Sequence, residues 1–247
     1  FLGSGETSAA GGLLFEKLAA QYAPPLRVSV LESPAGFELN AADVAGRVTT
    51  YIQQRLQNFR PQIAQITARK RGQEFGTDNL ELAAQILRSD MAFLGPGSPS
   101  YTVRVLRDTR VEQALRSAHA LGASLVFGSA AAIAAGSHVL PVYEIYKVGE
   151  DPYWKPGLGM LAGFGMELAI VPHWNNTDGG AELDTSRCFM GEKRFAALLE
   201  ILPSAAVVLG LDEHTACILE LAENQIEVTG RGSVHLRCGG DWCDLPS

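Results

Sequence analysis

The sequence of 247 residues lacks the features that mark several common classes of protein. No apolar run approaches the roughly 18 residues of a membrane-spanning helix, and no basic segment followed by an apolar one marks a signal peptide. Only four cysteines are present, and none forms a CxxC pair. We therefore expect neither a disulfide framework nor a zinc or dithiol redox site.

Basic residues are scarce relative to acidic ones. The chain has 20 Lys and Arg against 27 Asp and Glu, a formal net charge of −7. Nucleic acids and anionic membranes bind basic surfaces, so we expect neither as a partner. The one basic cluster, residues 69–71, is interpreted as a solvated loop. We predict a cytoplasmic protein, and because the chain opens at Phe1 without Met we expect its first strand to begin upstream.

Apolar residues make up 47% of the chain, enough for a sizeable core. Short apolar runs alternate with segments of helical spacing, which is typical of βαβ units around a parallel sheet. Strands are predicted at 1–2, 27–31, 62–67, 91–94, 124–127, 168–171 and 205–211. Helices are predicted around residues 14–22, 44–56, 79–88, 103–120 and 192–202. From Thr215 onward, short apolar segments at 217–221, 226–228 and 234–236 predict an antiparallel edge.

These patterns predict one α/β domain over residues 1–247. It should have three αβα layers, with a mostly parallel central sheet and a short antiparallel edge near the C-terminus. Ligands of open α/β sheets bind beyond the carboxyl ends of the strands, so the turns that follow strands are the candidate sites.

Ser129 stands between a predicted strand and a run of small residues that predicts a helix. A sharp turn of this kind can expose a nucleophilic Oγ, with the next backbone N–H in an oxyanion hole. Serine also favours the N-cap of a helix, and Phe127 is bulky where such turns usually have glycine. The residues alone leave both interpretations open.

His173 follows the strand at 168–171. It could accept a proton from Ser129 if a carboxylate oriented its other ring nitrogen, and Glu144 is the candidate between them in sequence. The alternative is a histidine in a surface loop. Asn175, in the polar segment behind it, is a candidate substrate contact.

Two further features could contact a substrate. Gly95-Pro96-Gly97 can bring backbone amides close to a bound oxygen, or can be an ordinary turn between strand and helix. Arg187, Lys193 and Arg194 could bind a carboxylate, or can lie on a solvated helix start. The histidines and cysteines show no metal-ligand spacing, so we predict no metal and no cofactor.

Several of these segments, in order, resemble peptidase family S51, the dipeptidase E and cyanophycinase group, whose flavodoxin-like fold is related to class I glutamine amidotransferases. Residues 129–132 (Ser-Ala-Ala-Ala) resemble its Ser-Ala-Gly-Ala nucleophile motif, and 172–174 (Pro-His-Trp) its histidine segment. Residues 210–216 resemble a later Gly-Ile-Asp-Glu-x-Thr-Ala strand and turn. The segments 3–6 and 157–161 also match.

The resemblance implies roles for these residues. Ser129 becomes the nucleophile, His173 the general base and Glu144 the third acidic residue. The backbone amides of Gly97 and Ala130 would form the oxyanion hole. Family members act on acidic substrates such as Asp-Xaa dipeptides or the aspartate backbone of cyanophycin, which makes basic residues such as Arg187 and Arg194 candidate carboxylate contacts. The expected activity is serine-dependent hydrolysis of a small acidic peptide or related amide, and a homodimer is among the expected states.

Two positions depart from the family pattern. Phe127 and Ala131 stand where the family has glycine, and a shift of one residue would place Ala130 at the nucleophile position. A second hypothesis is therefore a catalytically inactive binding or scaffold protein on the same fold. A glutamine amidotransferase with a cysteine nucleophile is a third, although no cysteine stands at the turn.

Overall fold

The computed structural model describes residues 1–72, 74 and 76–247, and the first half of the chain builds a parallel sheet. Its strands are β1 (Arg27–Leu31), β2 (Gln62–Ile66), β3 (Met91–Leu94) and β4 (Ser124–Phe127), in the order β2-β1-β3-β4. The helices of this half are α1 (Ala9–Ala19), α2 (Ala41–Arg55), α3 (Leu80–Leu87), α4 (Pro99–Leu106) and α5 (Arg110–Ala120). Apart from the helix predicted over 103–120, the alternation of strands and helices from β1 to β4 is as predicted, but the strand predicted at 1–2 is present only as an isolated bridge at Leu2.

Helices cover both faces of this sheet. Successive side chains of a strand point to opposite faces. On β3, Phe93 packs in one cluster with residues of α1 and α2, whereas Leu94 packs in a second cluster with residues of α4 and α5. Two hydrophobic cores therefore sandwich the sheet, and the predicted αβα layering is confirmed.

The prediction of a single helix over 103–120 is wrong, because the helical conformation is interrupted between α4 and α5. Arg107 has an extended ψ of 130° and Asp108 a positive φ of 60°. Thr109 then caps α5, its Oγ1 accepting the Glu112 N–H at 3.4 Å, while Glu112 Oε2 accepts the Asp108 N–H at 2.7 Å. The Thr-x-x-Glu pattern is a helix-start signal within a run of otherwise continuous helical spacing.

The second half of the chain builds a mixed sheet. Its helices are α6 (Ala130–Ala135) and α7 (Gly191–Glu200), and its strands include β5 (His138–Val139), β6 (Lys155–Pro156), β7 (Leu168–Val171) and β8 (Val207–Leu211). The hairpin of β9 (Thr215–Glu220) and β10 (Gln225–Gly230) is followed by β11 (Ser233–Cys238) and β12 (Asp241–Pro246). The strand order of the mixed sheet is β12-β11-β8-β7-β5-β6.

The direction of pairing divides this sheet. Strands β5, β7 and β8 pair in parallel, whereas β11 pairs antiparallel with both β8 and β12. The antiparallel C-terminal edge is therefore confirmed, and β12 is a strand that the sequence analysis did not predict. No helix in the described part of the chain is long and apolar enough to span a membrane.

Leu2 links the first sheet to the β9-β10 hairpin. It bridges in parallel to Gly128 and antiparallel to Ala216. Its N–H donates to the Phe127 carbonyl at 2.9 Å, and its own carbonyl accepts the Ser129 N–H at 3.1 Å. These bonds fix the backbone on both sides of the turn that carries Ser129.

Candidate active site

Ser129 occupies a strained turn between β4 and α6. Its φ of 51° and ψ of −119° lie outside the regions that L-residues ordinarily adopt, and such strain is concentrated at functional sites. The Ser129 side chain makes no capping hydrogen bond to α6, which argues against a helix cap. Phe127 is buried and stacks on Phe1 with the ring centroids 5.7 Å apart, so it packs in the core and does not fill the turn.

A chain of hydrogen bonds begins at the Ser129 hydroxyl. Ser129 Oγ lies 2.9 Å from His173 Nε2, and His173 Nδ1 lies 3.0 Å from Glu213 Oε1. An ionised carboxylate can only accept, so it favours the tautomer in which Nδ1 carries the proton. Nε2 is then left to accept the proton of Ser129 Oγ.

The expectation that Glu144 orients the histidine is wrong. Glu144 opens a short π-helical turn (Glu144–Val148), and its Oε1 lies 2.6 Å from Lys155 Nζ. Burial raises the pKa of Glu144, but hydrogen bonds from Lys155 and Ser100 outweigh this and lower it below its ordinary value. Glu144 therefore belongs to a different pair of charges, and Glu213 takes the position beside the imidazole.

The pairing of β7 with β8 explains the position of Glu213. These strands run in parallel, with Val171 opposite Gly210, so their carboxyl ends meet at one edge of the sheet. His173 and Glu213 each stand two residues beyond the end of their strand. The sequence analysis missed Glu213 because the pairing of these two strands, which brings it beside His173, is not a local pattern of the sequence.

Two asparagines behind His173 hold Glu213. Asn176 is 3% exposed, and its Nδ2 donates to Glu213 Oε1 at 3.1 Å. Asn175 Oδ1 accepts the backbone N–H of Glu213 at 2.8 Å. Asn175, predicted as a substrate contact, is therefore engaged with the loop that carries Glu213.

A left-handed turn packs against His173. Arg187, Cys188 and Phe189 have φ values of 55°, 58° and 68°, a conformation that costs roughly 1–2 kcal/mol per residue. The Cys188 N–H donates to the His173 carbonyl at 3.1 Å, and the Phe189 ring lies 6.2 Å from the imidazole ring. Burial, with a smaller contribution from the charge of Glu213, raises the pKa of Cys188 to about 12. This thiol stays protonated, which argues against a cysteine nucleophile.

Two backbone amides are candidates for an oxyanion hole. Among the described residues, neither the Gly97 N–H nor the Ala130 N–H donates to a backbone carbonyl. Residues 95–98, which we call the oxyanion loop, are fixed by the Ser98 N–H, which donates to the Pro34 carbonyl at 3.0 Å. Both amides are thus available to a ligand oxygen.

Of the two predicted arginine contacts, one is engaged within the protein and the other is exposed. The Arg187 guanidinium stacks over the Trp174 ring at 4.2 Å and donates to the Trp174 carbonyl at 3.3 Å. Arg194 is exposed on α7. The geometry therefore gives no support to either residue as a carboxylate contact.

Comparison with known proteins shows the fold. No protein-family model matches this sequence, and no curated protein sequence matches it. A solved peptidase from an acI-B1 Actinobacterium is 20% identical, with a TM-score of 0.73 over 100% of this chain and 92% of that one. A "Putative Peptidase E Protein" from Listeria monocytogenes EGD-e is 12% identical, with a TM-score of 0.56 over 100% of this chain and 96% of that one. The chain thus has the mixed α/β fold of these proteins, with a mostly parallel central sheet.

Proposed function

We propose that this protein is a serine peptidase or amidase of the S51 type. The observation that carries the proposal is the hydrogen-bonded chain from Ser129 through His173 to Glu213, which begins at a strained turn between strand and helix. The same fold in two proteins described as peptidases supports it. The substrate class taken from the resemblance, a small peptide or amide carrying a carboxylate, is part of the proposal.

Ser129, His173 and Glu213 each have a defined role in the first half-reaction. His173 Nε2 takes the Oγ proton as Ser129 Oγ bonds to the substrate carbonyl carbon, and Glu213 stabilises the imidazolium. The amides of Gly97 and Ala130 donate to the oxygen that becomes negative. Collapse of the tetrahedral intermediate breaks the C–N bond, and His173 returns the proton to the departing amine.

The second half-reaction releases the acid product. Water attacks the acyl-Ser129 ester while His173 Nε2 accepts one of its protons. The C–Oγ bond then breaks, and that proton returns to Ser129 Oγ. The net reaction consumes one amide and one water, forms one acid and one amine, and leaves the protein unchanged.

Replacement of Ser129 tests the proposal directly. We expect Ser129→Ala to lower kcat on an Asp-Xaa dipeptide by about 10³-fold or more, because the remaining groups cannot form the acyl-enzyme. A fluorophosphonate probe should label the wild-type protein at Ser129. Ser117→Ala, on the exposed surface of α5, is the matched control and should react as the wild type does.

Two results would contradict the proposal. One is hydrolysis by Ser129→Ala at the wild-type rate. The other is a wild-type protein that binds the peptide and neither cleaves it nor reacts with the probe, which would support a non-catalytic binding protein.

A further inference from the structure

Two partly exposed aromatic rings lie beside the imidazole of His173. The centroid of the Phe189 ring is 6.2 Å from that of His173, and the centroid of the Tyr146 ring is 5.3 Å from that of Phe189. Both side chains pack against the core and keep part of their surface in solvent. A surface made of two rings therefore reaches the group that moves the proton in the proposed reaction.

The position of Phe189 is held at a conformational cost. It is the last of three consecutive non-glycine residues with positive φ, and its N–H donates to the Thr185 carbonyl at 2.9 Å. Thr185 is 1% exposed, and its Oγ1 accepts the Gly179 N–H at 3.0 Å, which ties the turn to the loop behind His173. Such strain persists only where surrounding contacts impose it, and it is concentrated at catalytic and ligand-binding sites.

Tyr146 is carried by the π-helical turn Glu144–Val148. Ile145 of this turn is 2% exposed and anchors it in the core, and Glu144 Oε1 anchors it to Lys155 Nζ at 2.6 Å. Single π-helical turns occur frequently at functional sites. The two rings are thus presented by two separate segments, each of which is fixed by its own contacts.

The surface carries no buried charge beside the two rings. The thiol of Cys188, which precedes Phe189, is buried, and burial raises its pKa to about 12, so the thiol stays neutral. Lys147 Nζ lies 4.8 Å from the centroid of the Tyr146 ring, but this side chain is exposed and water screens its charge. Aromatic surface of this kind favours an apolar side chain, because a polar one would lose its hydrogen bonds to water without replacing them.

The chemistry of the proposed reaction decides which part of the substrate meets the rings. His173 Nε2 returns the proton to the departing amine, so the residue that supplies this amine lies on the imidazole side of the scissile bond. The acyl part stays on Ser129. Phe189 is therefore next to the residue that is released as the amine.

We propose that Phe189 and Tyr146 form the subsite for the side chain of the residue released as the amine, and that they select an apolar side chain there. This inference rests on the proposed function, because it assumes that an amide is cleaved at Ser129. It concerns the amine part of the substrate and is independent of the acidic group that the resemblance assigns to the acyl part.

Two dipeptides of nearly equal shape test this preference. Asp-Leu and Asp-Asn form the same aspartyl-enzyme, so a difference in kcat/KM arises from binding and acylation. We expect the wild-type protein to prefer Asp-Leu by about 10-fold or more, since even one methylene in an apolar pocket discriminates by about that factor. Phe189→Ala should reduce the preference to about 3-fold or less by lowering kcat/KM for Asp-Leu, and should leave the value for Asp-Asn within about 3-fold. Phe189→Leu should keep most of the preference.

A matched control has the same change at a similar pair of rings. The Phe164 ring lies 6.1 Å from the ring of His119, which contacts the Ala123 carbonyl just before β4, whereas Ser129 follows β4. Phe164→Ala should keep the wild-type preference.

Three further measurements separate a subsite from a structural role and from the proposed function. Tyr146→Ser removes the second ring, leaves Phe189 beside His173 and should also reduce the preference. Fluorophosphonate labelling of Ser129 in Phe189→Ala should proceed as in the wild type, which shows an intact reaction centre. Calorimetry of both dipeptides on Ser129→Ala measures the preference as binding, whether or not cleavage occurs.

Equal kcat/KM for the two dipeptides in the wild type would overturn the inference, as would an unchanged preference in both Phe189→Ala and Tyr146→Ser. Either result would leave the role of Ser129 standing. A wild-type protein that neither cleaves the dipeptides nor reacts with the probe, beside a Ser129→Ala protein that binds Asp-Leu selectively, would overturn the proposed function and keep the apolar subsite. Binding without selectivity in that case would overturn both.

Discussion

At the residue scale, the oxygen that orients His173 is shared between two donors. Glu213 Oε1 accepts from His173 Nδ1 at 3.0 Å and from Asn176 Nδ2 at 3.1 Å. Asn176 is itself fixed, because its Oδ1 accepts the Asp178 N–H at 3.1 Å. A buried amide with both ends engaged holds the carboxylate in one orientation, so Asn176 is a positioning residue for the candidate reaction.

Asn176→Asp should therefore impair turnover while the shape of the side chain is kept. The change removes the donor and places a second carboxylate against Glu213 Oε1. We expect kcat to fall by about 10- to 100-fold, the range expected for loss of a hydrogen bond to a charged group, with KM nearly unchanged. Steady-state kinetics on an Asp-Xaa dipeptide measures both values.

The exposed neighbour in the same loop gives the control for Asn176. Thr177→Ala should retain the wild-type kcat, since the residue is exposed. If Asn176→Asp kept full kcat and only lowered the thermal midpoint, Asn176 would have a structural role alone.

At the scale of elements, the oxyanion loop is packed tightly against the short turn that follows β1. Gly97 has a φ of 151°, and a Cβ placed there would lie 1.9 Å from the Pro34 carbonyl oxygen. A side chain at this position must push the two segments apart. The Gly97 amide would then move away from the position that the proposed mechanism requires.

Gly97→Ala should consequently reduce kcat by about 10²- to 10³-fold, the loss seen when one oxyanion donor is removed. Gly122→Ala is the matched control, because Gly122 also has a positive φ, of 100°, and no atom within 4 Å of its Cβ position. Both variants should show some loss of stability in urea, but only the first should lose activity. Equal activity of the two variants would argue against the Gly97 amide as an oxyanion donor.

At the scale of the whole molecule, the sequence predicted the layers and the strand–helix alternation, because short apolar runs and helical spacing are local patterns. Ser129 and His173 were also predictable as candidates, since each lies in the turn that follows an apolar strand. Glu213 lies in the segment 210–216 that resembles the family, but the sequence alone does not distinguish its carboxylate from the others in the chain as the partner of His173. Only the pairing of β7 with β8 brings the turns after them together.

Other differences between the sequence predictions and the structure also arise from long-range contacts. The guanidinium of Arg187 has the chemistry to bind a carboxylate, but it stacks on the ring of Trp174, which belongs to a different segment of the chain. None of the residues of strand β12 is buried, and this strand forms because β11 offers an edge for antiparallel pairing. Such partners are set by the assembled sheet and have no local signal.

At the end of the first sheet opposite the candidate site, the carboxylate and backbone of Asp90 link the starts of three strands. Asp90, just before β3, accepts from the backbone N–H of Arg27 at 2.8 Å, and its other oxygen lies 2.5 Å from Arg27 Nη2. Its own N–H donates to the Arg27 carbonyl, and its carbonyl accepts the Ser124 N–H. Asp90 thus joins the starts of β1, β3 and β4.

The contribution of Asp90 to stability should depend on pH. Burial raises its pKa, but the hydrogen bonds and charge of Arg27 outweigh this and lower it below the usual value of 3.8. A carboxyl with a lowered pKa in the folded state contributes fully above the pKa of the unfolded state, and the contribution is lost as the pH falls through the folded value. We expect Asp90→Asn to reduce the free energy of unfolding at neutral pH by about 1 kcal/mol, since Arg27 is half exposed and solvent screens the pair.

Urea unfolding of the wild type and Asp90→Asn across neutral and acid pH measures this difference. The difference in the free energy of unfolding between the two proteins should be largest at neutral pH and should decrease as the pH falls below about 4. Added salt should reduce it at neutral pH, because exposed charges are screened. Asp151→Asn, at an exposed position, is the control and should show little difference at any pH. A gap that persisted unchanged into acid would mean that Asp90 stabilises the strand starts through its backbone and shape, without a contribution from its charge.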